Sequence, residues 1–230
     1  MVPDGVAARV AQLTGFMPID EGEALFEVAC TAGSGSWLEI GTYCGKSTYL
    51  LGNAARIAGA RLITVDHHHG SQENQPGWEW HDRSMVDPVS GRLDTLPYFR
   101  PVLDELADVC SAVVAQTEVV AQWWATPIEL LFLDGNHTEK TAQHDYRAFA
   151  PHVVPGGLLL VHDVFPDPAD GGQAPWHVVE AALADGFEQV ARHRSLRVLR
   201  RPQRVRADEH SPAWSEPARW LPSSGNRNER

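Results

Sequence analysis

Five short apolar runs, each stopping abruptly at a glycine or a polar side chain, constrain this chain more than any other feature. They are Trp37–Ile40, Arg61–Val65, Ala112–Ala115, Ile128–Leu133 and Leu158–Val161. Each is too short for a helix and is bounded by turn residues, so each reads as a buried strand. Helical spacing of apolar residues fills the gaps, at 45–58, 97–108, 117–124 and 138–150, and again at 175–185. Such alternation predicts a doubly wound α/β fold: a mostly parallel sheet covered by helices on both faces. Two further runs, 187–193 and 195–200, predict a closing antiparallel hairpin and bring the sheet to seven strands. Helices are expected ahead of the sheet at 6–13 and 21–30, and Pro155-Gly156-Gly157 reads as punctuation before the fifth strand.

One stretch breaks the alternation. From His67 to Leu96 the chain is polar, rich in His, Trp, Asp and Gly, and almost without periodicity. An insertion of that length inside a compact domain is expected to be a functional loop, a lid or an interface. A single domain is expected over residues 1–200. The tail 201–230, rich in Pro, Arg, Ser and Glu, reads as largely disordered, with Trp214, Trp220 and Leu221 as residues able to dock. Nineteen Lys and Arg against 30 Asp and Glu give a net charge of −11. That surface repels phosphate backbones and anionic headgroups, which argues against nucleic acid and membranes as partners. Three widely spaced cysteines without a CxxC pair suit reduced thiols. With neither a basic-then-apolar leader nor an apolar stretch of about 18 residues, a cytoplasmic location is expected.

In open α/β sheets ligands bind beyond the carboxyl ends of the strands, so the residues just after each run matter most. The first run leads into Gly41-Thr42-Tyr43-Cys44-Gly45-Lys46-Ser47, the second into Asp66, the third into Gln116-Thr117, the fourth into Asp134-Gly135-Asn136-His137, and the fifth into His162-Asp163. Polar groups thus stand at the ends of all five strands. A dinucleotide-binding fold calls for GxGxxG to seat a pyrophosphate. Here Gly41 and Gly45 stand four apart with no third glycine in that pattern, which argues against a nicotinamide oxidoreductase.

The ExGxxxGxS pattern over Glu39–Ser47 resembles the first motif of class I S-adenosylmethionine-dependent methyltransferases. Gly22–Leu25, the run Leu131 to His137, Pro155-Gly156-Gly157 and His162-Asp163 are similar to the metal-dependent O-methyltransferases. Within that group the segment Asp66 to Trp78 resembles the actinobacterial sugar O-methyltransferases, such as the mycobacterial 1-O-methyltransferase of methylmannose polysaccharide biosynthesis. The resemblance covers roughly residues 15–200. It implies that Glu39, Gly41, Tyr43, Gly45 and Ser47 line the methionine part of S-adenosylmethionine. Asp66 would hold the ribose and Gln116 or Thr117 would border the adenine, with Asp134 also near the cofactor. Asp134 and Asp163 match metal-binding carboxylates, and His162 stands where many relatives carry another acidic ligand. His137 matches the catalytic base.

The chemistry of those residue types agrees. Two carboxylates with few soft ligands favour Mg²⁺, and imidazole suits proton removal near neutral pH. The implied acceptor is a sugar hydroxyl, such as the 1-OH of a methylated mannoside. A catechol or another small-molecule hydroxyl, or a non-catalytic methyltransferase-like binding protein, are the alternatives. Trp78, Trp80, His81 and Asp82 read equally as a sugar-binding wall or as the contact of a homodimer, and Glu73 as a residue reaching metal or substrate. Asp134 as a mere helix cap is the plainer reading of that residue. His144 and Asp145 read as packing or surface residues, and the run His67-His68-His69 as too divergent in direction for one ion.

Overall fold

The computed structural model describes residues 1–78 and 80–203. Seven strands form one sheet: β1 (Ser36–Ile40), β2 (Arg61–Asp66), β3 (Cys110–Val114), β4 (Ile128–Leu133), β5 (Val153–Val161), β6 (Glu188–His193) and β7 (Leu196–Arg200). Their order is β3-β2-β1-β4-β5-β7-β6. The first five run parallel, and β7 is antiparallel to both β5 and β6. This is the doubly wound sheet with a closing hairpin that the alternation predicts.

The period of two along a strand decides which side chains face which helices. Trp37, Leu130, Phe132 and Leu160 point to one face and pack with α1 (Asp4–Val10), α2 (Ile19–Ala29), α3 (Lys46–Ala58) and α4 (Leu96–Glu105). Leu38, Leu131, Leu133 and Leu159 point to the other face, against α5 (Thr117–Ala121), α6 (Glu139–Phe149) and α7 (Ala174–Ala184). Because β1 and β4 are covered on both sides, they read as mainly apolar runs, interrupted by Glu39 and Glu129, rather than as alternating ones. Strand order reverses between β1 and β4, and a crevice opens there beyond their carboxyl ends.

Several boundaries differ from expectation. The fifth strand starts at Val153 and runs through Pro155-Gly156-Gly157, where a register shift against β4 absorbs the irregularity. Gly156 N–H donates to the carbonyl of Arg201, and Arg201 N–H donates to that of Gly157, so the ladder runs one residue into the expected tail. Helix α5 stops at Ala121, short of the expected 124. Beyond it Trp124 is buried edge-on against Phe149 of α6. The insertion carries two single 3-10 turns, Gln72–Asn74 and Arg83–Met85, and an isolated bridge from Val86 to Leu93. Met85 and Leu93 bury themselves with Cys44, fastening the insertion to the loop after β1. Among the described residues no helix is long and apolar enough to cross a membrane. Trp214, Trp220 and Leu221 lie outside the described residues.

A candidate active site at the strand ends

A cavity of about 940 Å³ occupies the crevice, and the segments after all five parallel strands reach it. That size falls in the range of small-molecule and cofactor sites. Its shape depends on Gly41. The residue has φ of 93°, and a Cβ there would overlap the carbonyl oxygen of Asp134. Only glycine lets the β1 and β4 loops meet so closely. Asp66, at the end of β2, fixes the same loop from the other side. Its Oδ2 accepts the N–H groups of Thr42 (2.9 Å) and Tyr43 (2.8 Å), and its Oδ1 accepts that of His68 (2.7 Å). Tyr43 is held at a positive φ of 50° as a result. Gly41, Tyr43, Ser47 and Asp66 all line the cavity.

Glu39 and Gly45, expected beside them, do not. A Cβ on Gly45 would press on Phe99 and Val102 of the first helical layer, so this glycine admits α4 rather than a ligand. Glu39 is fully buried beneath the loop, where its carboxylate accepts hydrogen bonds from Ser47 Oγ (2.7 Å) and Thr48 Oγ1 (2.6 Å). Burial pushes its carboxyl up to about 7, against the pull of those hydroxyls. A carboxyl raised on folding takes up a proton, so stability falls as pH rises from the unfolded value of about 4.3 towards 7. Glu39→Gln keeps the shape and removes the charge. Relative to the parent, the variant is expected to gain on the order of 1–3 kcal/mol between pH 5 and pH 8. Denaturant melts at the two pH values measure this; an unchanged difference between them would show that Glu39 titrates normally.

On the β4–β5 side three groups converge. Asp134, His162 and Asp163 offer donor atoms all within 4.8 Å of one another. Asp134 makes no helix cap, since α6 begins after Thr138. Its Oδ1 instead lies 3.1 Å from His162 Nδ1. The far ring nitrogen, His162 Nε2, contacts Glu21 Oε2 at 2.9 Å. Glu21 belongs to no motif at all; it is 2% exposed, lies in α2, and its other oxygen accepts Ser195 N and Oγ. Burial opposes the charge on Glu21, yet His162 and Ser195 hold its carboxyl down at about 2.

His137 completes the cluster. Its Nδ1 lies 3.3 Å from Glu73 Oε2, and its Nε2 lies 3.6 Å from Asp163 Oδ2. That Nε2 is buried and has no hydrogen-bond partner. Burial lowers the imidazole pKa, but Glu73, Asp163 and Asp134 more than offset it, and the net direction is upward. Glu73 therefore comes from the insertion to the histidine, holding one ring nitrogen while the other stands towards Asp163.

Gln116 and Thr117 line the cavity at the end of β3, and Trp80 lines it from the insertion. Phe16, from the link between α1 and α2, meets Tyr43 and Trp80 with ring centroids 5.1 and 5.0 Å apart. Trp78 and His81 do not reach the cavity. Trp78 is 52% exposed, and His81 Nδ1 is tied to the carbonyl of Asn74 at 2.8 Å. Asp82 caps the second 3-10 turn through Ser84 N. The three consecutive histidines diverge. His67 lines the cavity, His68 is buried on Phe99, and His69 bonds the Leu93 carbonyl. Asp145, expected to pack or face solvent, lines the cavity as well.

The family described as "Methyltransferase domain" matches residues 38–164, more than half of the chain, from within β1 to just past β5. The chain belongs to this methyltransferase family. Solved structures share the methyltransferase fold at low identity. An O-methyltransferase from Klebsiella pneumoniae, titled putative, matches at 17% identity and TM-score 0.57, over 88% of this chain and 92% of its own. The O-methyltransferase TomG from Streptomyces achromogenes, in complex with SAM, matches at 17% and 0.55, covering 87% and 91%. An O-methyltransferase from Bacillus cereus in complex with SAH matches at 15% and 0.55, covering 87% and 93%. In this methyltransferase the crevice between β1 and β4 is thus the place where the family's chemistry must be sought.

Proposed function

We propose that this methyltransferase moves a methyl group from S-adenosylmethionine to a hydroxyl oxygen, with a sugar as acceptor and a divalent cation, Mg²⁺, in the site. The observation that carries the reading is the buried, unpartnered Nε2 of His137, facing the Asp134–His162–Asp163 cluster across 3.6 Å from Asp163. Relatives of the same fold are titled O-methyltransferases, two of them with SAM or SAH bound, which supports the donor and the class of acceptor atom. Eight acidic side chains line the cavity against Lys46, Arg194 and Arg197, an excess suited to a sulfonium and a divalent ion.

Two of the three donors, the carboxylates of Asp134 and Asp163, are the ligand type a hard cation prefers. His162 presents Nδ1 towards two carboxylates while Glu21 holds Nε2, the outer hydrogen bond that fixes the orientation of a ligating imidazole. A cation held by Asp134, His162 and Asp163 would orient the acceptor hydroxyl and lower its pKa. The methyl donor carries its methyl on a cationic sulfur, so the leaving group needs little help. The remaining work falls to the chain itself. Asp66 and the first loop seat the donor, and Glu73 accepts Nδ1–H of His137. His137 Nε2 takes the hydroxyl proton as the oxygen–carbon bond forms and the carbon–sulfur bond breaks. Phe16, Tyr43 and Trp80 form an aromatic face at the mouth for the acceptor ring. Trp78, exposed and away from the cavity, is the side chain left for a homodimer contact.

Calorimetric titration with S-adenosylhomocysteine and with NADH tests the donor, and radiolabelled methyl transfer to a panel of partially methylated mannosides and catechols tests the acceptor. Tight binding of S-adenosylhomocysteine alone, with transfer to a sugar, is expected. Preference for a catechol would overturn the sugar assignment, and binding of NADH in its place would overturn the whole reading.

A further inference from the structure

Arg197, on β7, is a buried cation without a counter-charge. It is 5% exposed and lines the cavity. In the sheet it stands between Val161 of β5 and Arg192 of β6, so one cross-strand neighbour is a second cation. Among the described residues no carboxylate pairs with it. Glu21 is the acid whose charge reaches it, but both Glu21 oxygens are already taken, by Ser195 and by His162. Arg194, the other arginine in the cavity wall, has Asp20 as its partner. A buried charge left uncompensated costs free energy, and a guanidinium cannot escape by losing its proton. Holding the β6–β7 turn accounts for one nitrogen alone: Nη1 donates to the carbonyls of Arg194 and Leu196. Nε and Nη2 have no partner among the described residues, yet neither is sealed from the surface. Together they form the side-on edge of the guanidinium, which matches the two oxygens of a carboxylate.

We infer that Arg197 pairs with a carboxylate on the acceptor, which makes the substrate an acidic sugar such as a uronate; the inference rests on the sugar acceptor proposed above. The place of the residue favours acceptor over donor. Arg197 is in register with Val161, the residue before His162 and Asp163, on the β5 side of the strand-order reversal. The groups assigned to the donor, Asp66 and the loop after β1, stand on the other side of that reversal. A phosphate would bring a second negative charge into a cavity whose wall already carries eight acidic side chains, so the singly charged group is the better fit. Selection works in both directions. A neutral acceptor would leave the guanidinium desolvated and unpaired, whereas an acidic one satisfies it.

The test follows radiolabelled methyl transfer at pH 7.5 to three matched acceptors: methyl mannosiduronate, the neutral methyl mannoside and its 6-phosphate. For the unmodified protein, kcat/KM is expected to be at least about tenfold higher for the uronate than for either of the others, as a charge-assisted hydrogen bond would give. In Arg197→Gln the preference for the uronate over the neutral mannoside is expected to fall to about threefold or less. Arg197→Lys, which keeps the charge and loses the fork, should fall between. Affinity for S-adenosylhomocysteine, measured by calorimetry, is expected to stay within about threefold in both variants. Should either variant fail to fold, the three acceptors on the unmodified protein decide alone. A neutral mannoside used as well as the uronate would overturn the inference, and so would a preference that survives in Arg197→Gln. Preference for the 6-phosphate would overturn the carboxylate. A loss of about tenfold or more in S-adenosylhomocysteine affinity, in variants that melt like the unmodified protein, would assign Arg197 to the donor instead. Transfer to none of the three, with S-adenosylhomocysteine still bound tightly, would overturn the sugar assignment itself, a distinguishable result.

Discussion

A His137→Ala enzyme is expected to turn over about 10²–10⁴-fold more slowly at neutral pH, the usual worth of a positioned general base. The expectation comes from the setting of the side chain: one ring nitrogen is held by Glu73, and the other is buried and unpartnered beside Asp163. Affinity for S-adenosylhomocysteine should change little, because the proposed role of the histidine is towards the acceptor hydroxyl and not the donor. The deficit should shrink as pH rises, since a stronger bulk base replaces the missing one while the hydroxyl ionises. Steady-state kinetics from pH 6 to 10 give both readouts. Near-parental turnover at neutral pH would remove His137 from the reaction.

Loss of the acidic cluster should be at least as damaging. With the proposed divalent ion in place, its chelation, or Asp134→Asn, is expected to slow methyl transfer by about 10³-fold or more, because orientation and charge stabilisation together are worth several kcal/mol. A second readout stands apart from turnover. Groups that merely hold a metal ligand in place are worth 10–100-fold in metal affinity, so losing the Asp134 ligand should weaken Mn²⁺ binding by at least about tenfold. Titration followed by paramagnetic resonance measures that directly. Full activity in excess chelator would dismiss the cation and leave the cluster a purely structural charge network.

The fold was legible because its strands are buried on both sides. Leu130 to Leu133 and Leu158 to Val161 have no polar face to blur them, and each ends in a residue that a strand interior would not tolerate. Boundaries were less legible where tertiary contacts override local preference. Pro155-Gly156-Gly157 looks like a break, yet its bulge lets β5 continue and pair with Arg201. The cavity was legible where a lining residue follows a strand closely, as at Asp66, Asp134, His137 and Asp163. It was hidden wherever a partner arrives from far along the chain. Glu21 lies 141 residues from His162, and nothing local to α2 marks it as a partner of β5. Phe16 was hidden for the same reason, since its ring partners Tyr43 and Trp80 lie far along the chain. Glu39 illustrates the opposite failure, since its motif position was plain while its burial under Ser47 and Thr48 was not.

The three-way contact of Glu21 with His162 and Ser195 has an evolutionary corollary. Glu21 and His162 are almost sealed from water, so exchanging either by itself strands a polar atom of the other with nothing to bind. Lineages that alter either of these two should alter the other too, so the N-terminal helix should be inherited together with the end of β5 despite their distance along the gene.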